Sequence, residues 1–548
     1  ISTPRRPRVT EAHSKRSFTT TTGHTPENVA ILGGGITGLS AAAIAAKFNP
    51  NVKVTLYESS DRLGGYVHSE AVQTSDGWTT FELGPRSLRP AGLRGYNMLS
   101  LAQNLNLEEA MQFTPKNSPA GSNRFIYYPD KLVRLPNSGD SWLVVLWRLL
   151  TDPLLEGFAA SVLGEFKVPR RPAGLTDESI GEFLTRRMGG NKKTVDNIVS
   201  AGMHGVYAGD VNQLSVRSLL PTMWQMEGEF GSFMGALLNK KGVEKFGARK
   251  MASLNERGAM TVGPELGKKA REAGLYTFRN GMQTLPDALA DVFRKAKNAD
   301  IRMGTSVSEI SRSTDGKTIQ IKTSDNQPPC SYSHIISTLP AHRLANLIPI
   351  PALALIPYTT VMVVNLYYKN PNLVPPGFGY LIPQSVPFKQ NPEFALGVVF
   401  DSHATPDVDD STGTRLTVML GGHYWDGRPA DELPTPEEGQ IMAERVLERH
   451  LKISEKPDRV LATLNKNCIP QYTVGHRDRL QSVDEGIKRL FGGRLSVGGA
   501  WVDGVGVNDC MFSGVFQAMT LDRGYTGLEL ALETTEWLKA KMPPGILV

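Results

Sequence analysis

The run Gly33-Gly34-Gly35-Ile36-Thr37-Gly38 has the residue types and spacing to hold a phosphate. Gly33, Gly35 and Gly38 meet the GxGxxG pattern. The first permits a tight turn, the second lets backbone reach a pyrophosphate, and the third lets helix and strand approach. The phosphate then rests on a helix N-terminus, where unpaired N–H groups and the helix dipole favour negative charge. A glycine triplet alone says little. Here Asn28 to Leu32 precedes it as a short buried strand, Thr37 to Phe48 follows as an alanine-rich helix, and Val52 to Tyr57 alternates like a second strand. Strand, helix and strand in this order make a βαβ unit. Glu58 ends the second strand, 20 residues after Gly38, where a carboxylate accepts hydrogen bonds from ribose hydroxyls.

Two further runs bear on which dinucleotide binds. Ser59 and Arg62-Leu63-Gly64-Gly65-Tyr66 follow Glu58 directly. The paired glycines beside an arginine are similar to the second fingerprint of the amine-oxidase-like flavoproteins; a plain surface turn is the alternative. Near the other end stand Leu495-Ser496-Val497-Gly498-Gly499-Ala500 and Asp503-Gly504-Val505-Gly506-Val507-Asn508. A strand ending in glycines at a helix N-terminus brings positive dipole to a flavin's N1 and C2 carbonyl, worth up to about 2 kcal/mol for the reduced ring in a partly buried site. Structural turn glycines are the competing reading. Two matched elements at opposite chain ends favour FAD. The three cysteines, Cys330, Cys468 and Cys510, are far apart and offer no obvious covalent attachment. Their spacing argues against a disulfide framework or a zinc site. His423 and His476 are isolated and read as structural, and no Ser-His-Asp or metal-ligand spacing demands another chemistry.

Several blocks then carry a family resemblance. They are Phe81-Glu82-Leu83-Gly84-Pro85-Arg86 with Arg89-Pro90-Ala91-Gly92, Asn123-Arg124-Phe125, Val206-Tyr207-Ala208-Gly209-Asp210, Gly377-Phe378-Gly379-Tyr380-Leu381, Lys466-Asn467-Cys468-Ile469-Pro470-Gln471-Tyr472, and Val507-Asn508-Asp509-Cys510. In this order, over about residues 27–525, they resemble the protoporphyrinogen oxidases of mitochondrial type. The resemblance implies non-covalent FAD contacts at Gly33, Gly34, Gly35, Ile36, Thr37, Gly38, Glu58, Ser59, Arg62, Gly64, Gly65, Tyr66, Gly84, Pro85, Arg86, Ser87, Val307, Ala500, Val505, Gly506 and Val507. It places a substrate propionate on Arg124, an apolar clamp for the tetrapyrrole on Phe378, Gly379, Leu381, Val399 and Met419, and a macrocycle-facing backbone at Gly205. His204 stands where some relatives carry arginine, which leaves the second propionate unassigned.

The same resemblance implies the reaction and its setting. Protoporphyrinogen IX is oxidised with O2 as terminal acceptor, the flavin N5 takes the hydride, and no side chain serves as catalytic acid or base. It implies a monotopic protein on the intermembrane-space face of the mitochondrial inner membrane, a homodimer, and hand-off of product to ferrochelatase. An amine oxidase, a carotenoid desaturase, or a flavin-binding partner without turnover are the alternatives. Physical chemistry agrees with the first reading: a large apolar macrocycle with two carboxylates at one edge needs a flat apolar slot and a few polar anchors.

The elements that must position these residues span a chain of 548, enough for two or three domains. Net charge is +6, and four of those charges fall in residues 1–23, so the body is not basic enough to suggest nucleic acid. That Arg-, Ser- and Thr-rich tail has the composition of an organellar transit peptide. The expected class is α/β (α+β overall): a discontinuous Rossmann-like FAD domain (27–117, 263–342, 486–548), a helical membrane-associating insertion (118–262), and a β-rich substrate domain (343–485), behind a tail at 1–26. Asn239 to Lys250 is expected as a surface loop and Arg494 to Leu538 as strand, glycine loop and long helix. Ser141 to Phe166, rich in Trp and Leu, suits either a membrane interface or another helix.

Overall fold

The computed structural model describes residues 26–541 apart from 138, 247–255, 257, 326 and 534. The tail expected at residues 1–23 lies outside the described residues. The fold is α+β, with one parallel sheet and several β-rich sheets around it. The parallel sheet runs Leu495–Val497, His334–Ser337, Asn28–Leu32, Lys53–Tyr57, Ala299–Arg302. Both of its faces are covered, which is why the strands read as nearly continuous apolar runs. Val29, Ile31, Val54 and Leu56 enter one core, and Ala30, Leu32, Ile335, Leu495 and Val497 another. Three remote stretches of chain therefore build one sheet. Helix Ile36–Phe48 crosses helix Val507–Met519 at Gly514, where any side chain would overlap the Thr37 carbonyl.

A seven-stranded sheet forms the second body, in the order Arg459–Pro470, Tyr358–Tyr368, Thr414–Gly421, Ala395–Phe400, Gly379–Leu381, Phe125–Tyr127, Leu132–Arg134. Period-two alternation gives it two faces. Met362, Val364, Leu366, Val398, Val418 and Leu420 pack on Ala443, Val446 and Leu447 of helix Pro436–Leu451. That helix starts where the sequence suggests, with Thr435 and Glu438 forming a reciprocal capping box. The opposite face joins Val361, Val363, Leu396 and Met419 to Ala208 of the helical insertion.

Three expectations need correction. The hairpin Phe125–Tyr127 and Leu132–Arg134 lies in the stretch expected to be helix and loop, yet it pairs as the edge of the seven-stranded sheet. Three-residue strands are too short to show alternation. Within the loop expected at Asn239 to Lys250, Lys240–Phe246 is helical; residues 247–250 lie outside the described residues. The C-terminal long helix is broken into Val507–Met519, Glu529–Leu532 and Thr535–Lys541, with Gly524 and Gly527 at positive φ in the break.

Ser141 to Phe166 forms helices Trp142–Thr151 and Phe158–Gly164 with short turns after each. Trp142 is 72% exposed, Trp147 68% and Leu163 69%, whereas Leu154 and Leu155 are buried. The base of this segment is fixed: buried Arg187 donates to Glu165 Oε1 (2.8 Å) and to the carbonyls of Val168 and Pro169. Glu165 also accepts from Phe233 N and Met234 N, which starts helix Phe233–Leu238. No helix among the described residues is long and apolar enough to cross a membrane.

Candidate active site

The carboxyl ends of the parallel strands form a crevice, the place where open parallel sheets take their ligands. Gly33 leaves the first strand at φ +102° and opens helix Ile36–Phe48. A side chain at Gly38 would overlap the Gly33 carbonyl, and one at Gly34 would meet Leu63 Cδ2 at 2.6 Å and Glu58 Oε2 at 3.0 Å. Glu58 closes over the loop: Oε2 accepts from Gly34 N (2.7 Å) and Oε1 from Ser60 N (2.8 Å), with Ser59 Oγ at 3.3 Å. Gly64 N donates to Gly34 O (2.9 Å), laying Gly64-Gly65 against Gly35. Thr305 N donates to Glu58 O (2.8 Å), which brings Val307 to the same strand ends. Arg62 turns back on its own loop, reaching the carbonyls of Leu63 and Gly65.

The second element arrives from the C-terminus. Gly498 and Gly499 approach Thr37, and helix Val507–Met519 begins at Gly506. Neither Gly35 nor Gly506 caps its helix with a side chain, and helix Ile36–Phe48 has no acid in its first turn. Asp503 and Asp509 lie beside the second helix start, but Arg94 binds both. Tyr472 clamps the turn between. Its hydroxyl donates to Ala500 O (2.5 Å) and accepts from Gly504 N (2.7 Å), while its ring stacks on His476 at 4.1 Å. Burial holds the Tyr472 phenol well above its ordinary range, so it keeps its proton. Val505 to Val507 follow directly.

Facing this crevice is one face of the seven-stranded sheet. Register puts Leu381, Gly397, Met419 and Val363 in one cross-strand row and Gly379, Val399, Thr417 and Asn365 in the next row of the same face. Four of the expected clamp positions thus share a face. Phe378 adjoins them, with Arg124 Cζ 4.8 Å above its ring. A Cβ on Gly205 would stand 3.0 Å from two Leu381 methyls, so the helix meets the sheet here by backbone. Arg124 has no ion pair among the described residues, and its pKa is lowered by burial and then by the charge of Arg89.

His204 behaves differently from the other expected substrate contacts. Its Nδ1–H donates to Ile382 O (2.6 Å), which makes Nε2 an acceptor for His423 Nε2–H (2.9 Å). The ring is buried with both nitrogens engaged, so no donor is left for a carboxylate. Burial and the His423 ring push its pKa down to about 3. His423 is therefore not isolated, and neither is His476, which bonds Trp501 O at 3.1 Å under Tyr472.

The model of the family "Flavin containing amine oxidoreductase" matches residues 36–521. Protoporphyrinogen oxidase of Schizosaccharomyces pombe is 36% identical over 501 residues, covering 89% of this chain and 97% of that protein. The Homo sapiens protoporphyrinogen oxidase is 33% identical over 500 residues, 89% and 96%. The chain belongs to the flavin-containing amine oxidoreductases, within the protoporphyrinogen oxidases. A solved structure from Exiguobacterium sp. 255-15 shares the fold with a TM-score of 0.71 at 23% identity, covering 91% of this chain and 99% of that one. Reduced UDP-galactopyranose mutase follows at 0.60 and 15%, covering 94% and 97%.

The crevice fits the cofactor of these flavin-containing oxidoreductases. Two uncapped helix starts converge on glycines: backbone fills the side-chain space of Gly38 and Gly64, and a Cβ on Gly35 would meet only Gly65 Cα, at 3.9 Å, which leaves room and positive dipole for a dinucleotide. FAD is the group it takes. Several expected dinucleotide contacts have protein partners that the sequence did not show. The Arg86 side chain points away from the crevice glycines to Asp401 (3.0 Å), and Asp401 also accepts from Thr417. Gly84 passes close under the Tyr66 carbonyl, and Pro85 and Ser87 flank the pair half-buried. Tyr66 reaches the Lys466 and Asn467 carbonyls at 3.4 Å. Glu82, buried and raised to about 7 by desolvation, accepts from Met282 N (2.8 Å) and Ser69 Oγ (2.7 Å). Glu82 and Tyr472 both lie inside quoted blocks, yet neither was assigned a part in the site.

Proposed function

We propose that this protein oxidises protoporphyrinogen IX to protoporphyrin IX with FAD and O2. Six electrons leave the substrate in three two-electron steps, and three O2 become three H2O2. The observation that carries this is the apolar face of Leu381, Val399, Met419 and Val363, rimmed by Arg124, which has no ion pair among the described residues, and set across from the dinucleotide crevice. The relatives named protoporphyrinogen oxidase support the substrate. When bound, FAD supplies the two-electron acceptor. The protein's own residues bind and orient. Sheet side chains give the macrocycle a flat apolar wall, Gly205 lets the helix wall come close, and Arg124 fixes one carboxylate. The dinucleotide contacts proposed are the crevice glycines, Glu58, Ala500 and Val505 to Val507; Arg62 and Arg86 act there by shaping loops. His204 closes the back of the slot without touching a carboxylate.

The exposed face of Trp142, Leu143, Leu146, Trp147, Leu163 and Phe166 supports peripheral docking on a membrane, which suits a poorly soluble substrate. Placement at the mitochondrial inner membrane, on the intermembrane-space side, a homodimer, and delivery to ferrochelatase follow the family reading. The test is anaerobic mixing of the purified yellow protein with protoporphyrinogen IX. Bleaching of the flavin band, its return in air, and growth of porphyrin fluorescence are expected. A band unmoved by this substrate yet bleached by an amine would replace the proposal with an amine oxidase.

A further inference from the structure

The basic stretch that begins at Asn239 has no part in the crevice or the slot. Its described part completes a tight helical hairpin, Phe233–Leu238 with Lys240–Phe246. A Cβ on Gly242 would overlap the Ala236 carbonyl, so the two helices meet backbone to backbone. Asn239 makes the turn. Its N donates to Gly235 O (3.1 Å), its carbonyl accepts from Val243 N (2.8 Å), and its Oδ1 accepts from Lys241 N (2.9 Å). The base of the hairpin is closed: Lys245 pairs with Glu229 (2.5 Å), and Phe246 meets Phe230 edge to face at 6.3 Å. The tip is open. Leu238 is 79% exposed and Leu237 46%. Lys240 and Lys241 are exposed and form no ion pair or side-chain hydrogen bond among the described residues. Glu244, the acid of the same helix, stands a turn below them.

The tip continues the apolar face of the preceding helices. Buried Glu165 accepts from Phe233 N (3.0 Å) and Met234 N (3.1 Å), which ties the hairpin to the turn beside exposed Leu163 and Phe166. Lys167 Nζ lies 6.0 Å from the Phe166 ring centroid. Both sides of this junction therefore set cations next to bare apolar side chains. A bilayer with anionic headgroups answers both features: acyl chains take the leucines, and the ammonium groups extend on their apolar stems to the phosphates. Leu237 to Lys241 offers far less than the roughly 800 Å² per partner that a stable protein interface buries.

We propose that the hairpin tip, Leu237 to Lys241, is a contact for anionic phospholipid, separate from the Trp142 and Trp147 face, that makes docking selective for negatively charged bilayers. It deepens the membrane docking proposed above and rests on it. The indoles hold the protein to any bilayer, and the tip decides which bilayer is preferred.

The test is flotation of the full-length, FAD-loaded protein with vesicles of phosphatidylcholine alone and with vesicles in which about a quarter of the lipid is phosphatidylglycerol. Two lysines at an anionic surface predict binding about thirty-fold tighter to the charged vesicles. Lys240→Gln with Lys241→Gln removes most of that preference and leaves binding to phosphatidylcholine unchanged. Leu237→Ser with Leu238→Ser weakens binding to both vesicles at least about ten-fold. An unaltered flavin spectrum and Tm show that each variant is folded. Equal binding of wild type to the two vesicles, or a preference that survives the lysine substitutions undiminished, overturns the tip contact while docking by the indoles stands. A protein that floats with neither vesicle removes the docking itself and the tip contact with it. A sedimentation coefficient of the lipid-free protein that falls in the leucine variant overturns the proposal in favour of a second copy of this chain on the tip.

Discussion

Replacing Tyr472 with phenylalanine isolates two hydrogen bonds at the turn that joins substrate sheet to dinucleotide crevice. The ring and its stack on His476 stay, and the hydroxyl alone is lost. The carbonyl of Ala500 then lacks its 2.5 Å donor and Gly504 N–H its 2.7 Å acceptor, both next to a fully buried phenol. A buried polar group left unsatisfied costs about 1–3 kcal/mol, so two partly relaxed groups cost about 2–4 kcal/mol together. At about 1.4 kcal/mol per decade, local opening of the turn becomes roughly thirty-fold to several-hundred-fold more frequent. Hydrogen exchange by mass spectrometry on peptides spanning 499–507 reads this directly. Apo-protein reconstitution followed by flavin fluorescence reads the consequence, an FAD Kd weakened by about ten-fold or more. A merely structural tyrosine would speed exchange widely and leave the flavin reduction potential alone; a positioning residue changes exchange at the turn and shifts that potential. Unchanged exchange at 499–507 together with unchanged FAD affinity would refute the assignment.

Gly38→Ala forces a methyl into the Gly33 carbonyl, and the purified protein should retain no flavin; a yellow variant with normal FAD content contradicts the crevice geometry. Arg124→Ala should raise the substrate KM or lower kcat/KM about ten- to hundred-fold with FAD retained, as expected for loss of one charge-assisted contact, and steady-state kinetics decide it. The His204 pair makes the fold acid-sensitive. Its folded pKa of about 3 lies below the ordinary 6.5, so the unfolded chain binds more protons between those values. The contribution is complete above pH 6.5 and is lost as pH falls, at up to about 1.4 kcal/mol per unit for each such group. His204→Gln should flatten the slope of urea midpoints between pH 7 and 5 by about one proton, and an unaltered slope rejects it. Trp142→Ser with Trp147→Ser removes two exposed indoles and should cut binding to phospholipid vesicles at least about ten-fold in a flotation assay; equal recovery would locate docking elsewhere.

The dinucleotide half of the fold was readable because its constraints are local. Gly38 sits against the Gly33 carbonyl within one turn, Gly33 turns the chain at φ +102°, and Glu58 follows at a fixed spacing. The apolar face could be named only through the family resemblance, since Leu381, Val399 and Met419 are ordinary strand residues until register aligns them. Side-chain partnerships across remote chain were hidden. Arg86 stood in a dinucleotide motif, yet its guanidinium answers Asp401, 315 residues away. His204 and His423 lie 219 residues apart, and nothing at either position announces the other. The edge hairpin at Phe125–Arg134 was missed because its pairing is supplied by Gly379–Leu381, not by its own pattern.

The parallel sheet takes its outermost strand, Leu495–Val497, from the last tenth of the described chain. A ribosome thus delivers that wall of the flavin berth only after every strand of the substrate sheet has emerged. Any message cut short upstream of that strand yields a polypeptide with its substrate slot encoded in full and its redox half unfinished. Loading of the coenzyme is by the same token a checkpoint on synthesis as far as that strand.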